Sequence, residues 1–449
     1  MFARVIVDIT HTQVDRVFEY SIPDGMPVSL GMRVLIPFGR SKTVEGFVIG
    51  TSGTIDYDAE KIKPILSVLE SFSALSAEQI ELGQFIAKKY NTTLAAALRL
   101  MIPAQLRGGR VSQKTQQYVY LNVQGDAFDQ AAQSLHTKDG KVKYRKQLEI
   151  LERLKGAPQG LPCATFGASS IETLVKKGYV RKESKEISRL PFKMNVPQIE
   201  DYVLTPVQQA VLMKIQRAAN RKFLLHGVTG SGKTEIYVRL IRQCLKSGKT
   251  AIMLVPEISL TAQTYRFLKQ RFSEEMAVFH SALSAGERYD EWLKVKRGKA
   301  RIVLGARSAV FAPLENIGAI IIDEEHETSY KSDQYPKYTA HEIAEKRCEL
   351  NGAILVLGSA TPKIETYFRA KQGKLELLRM PERLFDLPLP KVEIVDMREE
   401  LKNGNRGVIS GRLHEEMTAV FENKKQVMLF LNRRGYSTFV MCRGCGYTV

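Results

Sequence analysis

In the second half of the chain, apolar residues come in six unbroken runs that stop on polar or glycine-containing turns. The runs are KFLLHG, TAIMLVPE, MAVFHS, RIVLGARSA, GAIIIDEEH and AILVLGSAT. Helical patterns such as EIYVRLIRQCLKSG and TAQTYRFLKQRF lie between most of them. Continuous apolar strands alternating with helices predict a parallel sheet covered on both faces. The N-terminal hundred residues read differently. ARVIVDI, RVFEYSIP, MRVLIPFG and TVEGFVIG alternate in polarity between Pro and Gly punctuation, which predicts a small antiparallel barrel or sheet. SAEQIELGQFIAKKYNT then gathers Ile80, Leu82, Phe85 and Ile86 on one helical face. Between the two regions, RKQLEILERLK reads as a helix and SSIETLVKKGYVRKES as a second helix turning at Gly178 into a basic strand. Helix, helix and charged hairpin is the order of a winged helix.

With 449 residues the chain is long enough for roughly two to four domains of ~100–200 residues. Its charge balance, 66 Lys+Arg against 48 Asp+Glu, leaves a net +18 that favours a polyanionic partner. The N-terminus has no unbroken apolar core of a signal peptide, and no window approaches the ~18 apolar residues of a membrane span. Five cysteines, three of them scattered (Cys163, Cys244 and Cys348), form no disulfide framework, so a reduced, cytosolic chain is expected.

The strand ends carry the chemistry. GVTGSGKT, comprising Gly227, Val228, Thr229, Gly230, Ser231, Gly232, Lys233 and Thr234, follows an apolar strand and opens a helix. That context makes it a phosphate loop, with Lys233 for the β and γ phosphates and the Thr234 hydroxyl for Mg²⁺. In IIIDEEH, Asp323 is placed to bind the Mg²⁺ hydration shell and Glu324 to orient and deprotonate a water. Glu325 and His326 are expected to couple that site to moving parts. Gln208 in LTPVQQA stands where an amide would pair with adenine, selecting ATP. VPEISLTAQ, FHSALSAGER, GARSAVFAP (with Arg307) and LGSATP put Ser, Thr, His, Arg and backbone amides at strand ends, suiting a phosphodiester backbone gripped without base reading. ETSYKSDQYPKYTAHE interleaves Tyr330, Tyr335 and Tyr338 with Lys331 and Lys337, which predicts a loop stacking on unpaired bases.

In this order the motifs resemble superfamily 2 helicases. GVTGSGKTEIY, VPEISLT, GARSAVFAP, DEEHETSYK and FLNRRGYS resemble in particular the PriA family of bacterial replication-restart helicases, over essentially the whole chain. The resemblance implies a β-rich DNA 3′-end-binding domain at 1–105 and a winged-helix domain at 106–195. A RecA-like, doubly wound α/β lobe would follow at 196–388, and the start of a second helicase lobe at 389–449. It further implies that Glu19, Gly39 and Lys63 line a pocket for a strand's terminal 3′-hydroxyl, and that Ser359 and Thr361 couple hydrolysis to movement. The family often has Asp where Glu19 stands and commonly Arg where His341 stands, so an ionic contact at His341 would be weakened.

By the same resemblance Cys442 and Cys445 are the first half of a zinc site, in a family that binds two structural Zn²⁺ ions. The second lobe would then be cut short after the strand QVMLFLN, leaving a chain that binds ATP and DNA but hydrolyses poorly. The implied activity is an ATP- and Mg²⁺-dependent 3′→5′ DNA helicase of stalled forks. Its implied partners are forked and single-stranded DNA, single-stranded DNA-binding protein and primosome or helicase-loader proteins, in a bacterial cytoplasm. Two alternatives stand beside it: a non-enzymatic fork-binding scaffold, and an RNA-directed helicase of the same superfamily.

Overall fold

The structure is a computed structural model. It describes residues 1–39, 42–54, 62–104, 106, 115–136, 143–186, 197, 199–200, 202–219, 221–257, 262–272, 275–384 and 390–430. Contacts divide the chain into one unit at Met1–Asp386 and another at Leu387–Val449.

The first unit opens with β1 (Phe2–Val7), β2 (Val17–Ser21), β3 (Arg33–Phe38), β4 (Lys42–Ser52) and β5 (Ser67–Val68). They form an antiparallel sheet in the order β2-β1-β4-β3-β5, as the alternating pattern predicts. One face buries Ala3, Val5, Val7, Tyr20, Val34, Ile36, Val48 and Ile65. Two helices follow, α1 (Ala77–Lys89) and α2 (Leu94–Arg99). A Ser76–Gln79 capping box starts α1.

These helices do not pack into the core of the small sheet. Leu82, Ile86, Leu98 and Met101 share a core with Val310, Phe311, Ile343 and Ala344 of the later lobe. The fully buried Arg347 fastens the join. Its Nε and Nη2 donate to Glu78 Oε1 and Oε2 at 2.8 and 2.9 Å, while Nη1 donates to the carbonyls of Val310 and Ala312. The helices that follow the small sheet therefore share their core with the later lobe rather than with the sheet's own core.

The middle region contains β6 (Thr115–Leu121), α3 (Asp126–Gln133), α4 (Arg145–Lys155), β7 (Leu161–Pro162), α5 (Ala168–Lys176) and β8 (Val180–Glu186). The two predicted helices and the basic strand are present, and Gly178, at φ +74°, makes the turn. Among the described residues, however, β8 pairs with β6 from far upstream rather than with a following hairpin strand. Leu151, Leu154, Ile171, Leu174 and Val119 form a separate small core.

The lobe from 206 on contains α6 (Pro206–Arg217), β9 (Lys222–Gly227), α7 (Lys233–Lys246), β10 (Thr250–Leu254), α8 (Ala262–Phe272), β11 (Met276–Phe279) and α9 (Ala285–Lys296). It continues through β12 (Ile302–Gly305), β13 (Ile317–Ile322), α10 (Ala340–Asn351), β14 (Ile354–Ser359), α11 (Ile364–Lys371) and β15 (Glu376–Met380). All seven strands run parallel in the order β11-β12-β10-β13-β14-β9-β15. Alternate residues serve two cores. Leu224, Ile252, Leu254, Ile320 and Ile322 face α1, α9 and α10, whereas Phe223, Leu225, Ala251, Met253, Ala319 and Ile321 face α6, α7 and α8. Burial on both faces is why these strands read as unbroken apolar runs. The seventh strand, β15, escapes that signal because it is an edge strand carrying Glu376 and Arg379.

The second unit contributes α12 (Met397–Lys402) and α13 (Gly411–Glu422), neither with a buried residue. The strand expected at QVMLFLN is absent from its described part. Residues 425–430 are irregular, with Met428 and Phe430 exposed.

Candidate nucleotide and DNA sites

β9 ends at Gly227, and the loop that follows returns into α7 through two glycines in the left-handed region, Gly230 (φ +82°) and Gly232 (φ +80°). Lys233 is the first residue of α7. Its buried ammonium donates to Gly227 O at 2.8 Å, while the Ser231 hydroxyl is buried without a partner. Val228 N–H pairs with Met380 O and Ser231 N–H with Val228 O, which pins the loop between β9 and β15. Thr229 and Thr234 flank the turn. A glycine cradle at a helix N-terminus, with a buried cation and an orphaned hydroxyl, suits a phosphate chain.

Gln208 is placed beside this loop, but not as an open adenine reader. It is 2% exposed. Its Oε1 accepts from Thr205 N at 2.9 Å, and its Nε2 lies 3.4 Å from the carbonyls of Ser231 and Gly232. Both amide ends are thus engaged in capping α6 and bracing the phosphate loop.

Asp323 follows β13. Because β14 lies between β13 and β9, the acid and the loop are two strand spacings apart, about 10 Å. Burial and the neighbouring Glu324 raise the Asp323 pKa, while the Tyr237 hydroxyl and the Lys233 charge act against that rise. Tyr237 Oη donates to Asp323 Oδ1 at 2.9 Å, and Tyr330 Oη donates to the Asp323 carbonyl at 2.7 Å. Glu324 occupies the left-handed region at φ +44°, a strained backbone for a residue with a side chain.

The next two residues reach other segments. Glu325 is fully buried and accepts from Lys363 N at 2.7 Å and Thr366 Oγ1 at 3.0 Å. Burial pushes its pKa up, but these bonds and His341 outweigh it and hold the carboxyl below its usual range. His341 Nε2 lies 2.9 Å from Glu325 O and 3.5 Å from Glu325 Oε2, so the histidine makes the contact expected to be weak. His326 Nδ1 is 2.8 Å from Ser359 Oγ, which also accepts from Thr361 N at 3.0 Å. His326, Ser359 and Thr361 therefore form one chain from the acid run to the GSAT segment.

The stacking tyrosines are largely a correction. Tyr330 is 1% and Tyr338 4% exposed, both within the hydrophobic core. Tyr338 meets Phe311 edge-on and Tyr330 meets His341 edge-on, so neither offers a ring face to a base. Tyr335 is exposed and reaches Asn91 O with its hydroxyl. Arg307 donates to the carbonyls of Ser329 and Lys331 and lies over the Tyr338 ring, so it organises this loop from the end of β12.

Glu19, Gly39 and Lys63 do come together. They line a cavity of about 620 Å³ with Arg16, Phe18 and Phe38. Lys63 Nζ donates to Gly39 O at 2.9 Å, and Glu19 Oε2 is buried without a partner. An unpaired carboxylate oxygen in such a cavity is an acceptor suited to a hydroxyl donor. In the middle region Arg181 lies over Tyr120 and Lys185 over Tyr118, a cationic strand on aromatic rings. Cys442 and Cys445 lie outside the described residues; among the described residues no group of three or more His, Cys, Asp or Glu could hold a metal.

Sequence reasoning missed Tyr237 and Arg347. Tyr237 had a signal, standing one helical turn after Lys233, whereas Arg347 in an ordinary amphipathic run had none.

The 3′ DNA-binding domain of PriA matches residues 4–103, and the DEAD/DEAH box helicase domain matches residues 205–369. The replication restart protein PriA of Bacillus subtilis is 38% identical over 99% of this chain and 64% of its own length. The PriA proteins of Synechocystis and Haemophilus influenzae are 34% and 32% identical over 100% and 96% of this chain, and 63% and 59% of their own lengths. The chain thus spans about three-fifths of these relatives. By the two matched domains, in their order, and by these identities along its length, the chain is similar to the PriA replication restart proteins.

Proposed function

We propose that this chain is the fork-recognising and ATP-binding part of a 3′→5′ DNA helicase that promotes replication restart. The observation that carries the motor reading is that α7, which opens on Lys233 at the phosphate loop, also holds the buried Asp323 carboxylate through Tyr237 at 2.9 Å, beside a loop whose buried Ser231 hydroxyl has no partner. In this reading Lys233 and the loop amides hold the phosphates, Thr234 and Asp323 hold Mg²⁺, and Glu324 orients and deprotonates the attacking water. Bound Mg²⁺-ATP supplies the transferable phosphoryl group. The chain's residues supply position, charge and the links through His326 and Glu325 to the segments that respond.

DNA recognition is assigned to the Glu19–Gly39–Lys63 cavity for a 3′-hydroxyl end, with the basic winged-helix strand and Tyr335 as sequence-independent contacts. Zinc at Cys442 and Cys445, and contacts with single-stranded DNA-binding protein and helicase loaders, are assigned from the family. The test is fork binding by fluorescence anisotropy, comparing a 3′-hydroxyl with a 3′-phosphate at the branch. The hydroxyl fork should bind about tenfold tighter, as expected for losing a hydrogen bond to a charged acceptor. Equal affinities would refute the end-recognition reading.

A further inference from the structure

The phosphate-loop helix sends one polar atom into the interior. Tyr237 lies on α7, one turn beyond Lys233, and its ring is wholly buried. Its hydroxyl donates to Asp323 Oδ1 at 2.9 Å. Burial and the nearby carboxylates push the phenol well above its ordinary pKa, so it remains a donor.

The same hydroxyl fills a second place. A side chain added at Gly358, the residue before Ser359 in the GSAT segment, would overlap Tyr237 Oη and lie 2.9 Å from Cζ. It would also stand 3.5 Å from Asp323 Oδ1. Gly358 needs no unusual backbone, because its φ is not positive. The glycine is explained by space: β14 must pass where the hydroxyl reaches across to β13. Glu325 N–H donates to Gly358 O at 2.9 Å and closes the arrangement from the other side.

We propose that Tyr237 is a positioning residue for the Asp323 carboxylate, and that Gly358 is glycine in order to admit its hydroxyl. The hydroxyl is a strut joining three segments: α7 behind the phosphate loop, the acid run after β13, and the GSAT segment at the end of β14. It fixes the direction of one Asp323 oxygen. It also means that the GSAT backbone cannot shift toward α7 without displacing the group that holds Asp323. The inference rests on the nucleotide-binding reading and adds to it a residue outside the phosphate loop and acid run.

The experiment uses the whole 449-residue chain, a fluorescent ATP analogue and thermal denaturation. Tyr237→Phe keeps the ring and removes only the hydroxyl. Its affinity for the analogue without Mg²⁺ should stay within about twofold of the parent, while the Mg²⁺ concentration for half-maximal enhancement rises about tenfold, the scale of one charge-assisted hydrogen bond. A purely structural tyrosine would instead weaken both states together. Gly358→Ala should lower the melting temperature by several degrees, and by much less when made in the Tyr237→Phe chain. Two results overturn the proposal: an unchanged Mg²⁺ requirement in Tyr237→Phe, or an equal loss from Gly358→Ala in both backgrounds. If the parent binds no nucleotide, the nucleotide reading itself fails, and the Tyr237–Gly358 thermal cycle still decides the strut.

Discussion

The nucleotide site and the Glu19 cavity belong to the same compact unit but are supported in opposite ways. The phosphate loop and acid run stand on a parallel sheet buried on both faces, with two full cores behind them. Four side chains there are tied to neighbours: Lys233 to Gly227, Asp323 to Tyr237, Glu325 to Lys363 and Thr366, His326 to Ser359. The Glu19 cavity stands on a five-stranded sheet with one small core, and Lys63 reaches Gly39 from an exposed segment. A site that must change state with each nucleotide needs contacts that transmit movement, whereas one that captures a strand end needs only shape and a donor–acceptor set. Substitutions at the first should therefore propagate, and those at the second should stay local.

The largest expected effect tests propagation at the phosphate loop. Lys233→Ala should reduce nucleotide binding or hydrolysis on the order of 10²–10³-fold, as when an electrostatic transition-state contact is removed, and leave fork affinity without nucleotide unchanged. Next comes the shared core. Arg347→Ala leaves Glu78 and three backbone carbonyls without their buried cation and should cost about 3–5 kcal/mol in chemical denaturation. If the small β domain alone carried α1, the loss would be confined there and nucleotide binding would persist at denaturant concentrations where end recognition has failed. At the cavity, Lys63→Ala should cost about tenfold in discrimination between 3′-hydroxyl and 3′-phosphate forks. It should leave nucleotide affinity and melting temperature unchanged; a matching loss of nucleotide binding would erase the contrast.

The smallest effect comes from Glu345, which ties β9 to α11 through Lys222 Nζ at 2.8 Å and Arg369 Nη2 at 2.8 and 2.9 Å. Burial would raise its pKa, but the two cations win and hold it below its ordinary value of 4.5. A carboxylate depressed on folding stabilises above that ordinary value, and the contribution disappears as pH falls through the folded value. Because the group is partly exposed, the contribution is discounted to under about 1 kcal/mol. The difference in melting temperature between parent and Glu345→Gln should therefore be small at pH 7 and vanish once the pH falls below the depressed folded value, while a difference that grows on acidification would contradict the assignment.

How legible each region was follows from the same contrast. GVTGSGKT and DEEH are contiguous because a strand-to-turn junction delivers neighbouring residues to one place, so the loop, the acids and six strands could be read along the chain. Glu19, Gly39 and Lys63 come from three separate segments, and only a family resemblance could bring them together before the fold did. The tyrosine loop misled because spacing cannot tell an aromatic ring that faces solvent from one that closes a core: Tyr335 does the first, Tyr330 and Tyr338 the second. Gln208 was placed at the correct loop, and what the sequence did not show is that a capping box and the loop carbonyls engage its amide. Arg347 was invisible because its partners, Glu78 and the carbonyls of Val310, Ala312 and Leu314, come from distant turns.

The central claim is that Lys233 and Asp323 serve one magnesium–nucleotide. Mg²⁺ titration of fluorescent ATP-analogue binding tests it most directly, in the parent, Lys233→Ala and Asp323→Asn. The parent should bind with a clear Mg²⁺ enhancement, Lys233→Ala should lose binding with or without Mg²⁺, and Asp323→Asn should keep the Mg²⁺-free affinity but lose the enhancement. An enhancement that persists at full size in Asp323→Asn would contradict the account.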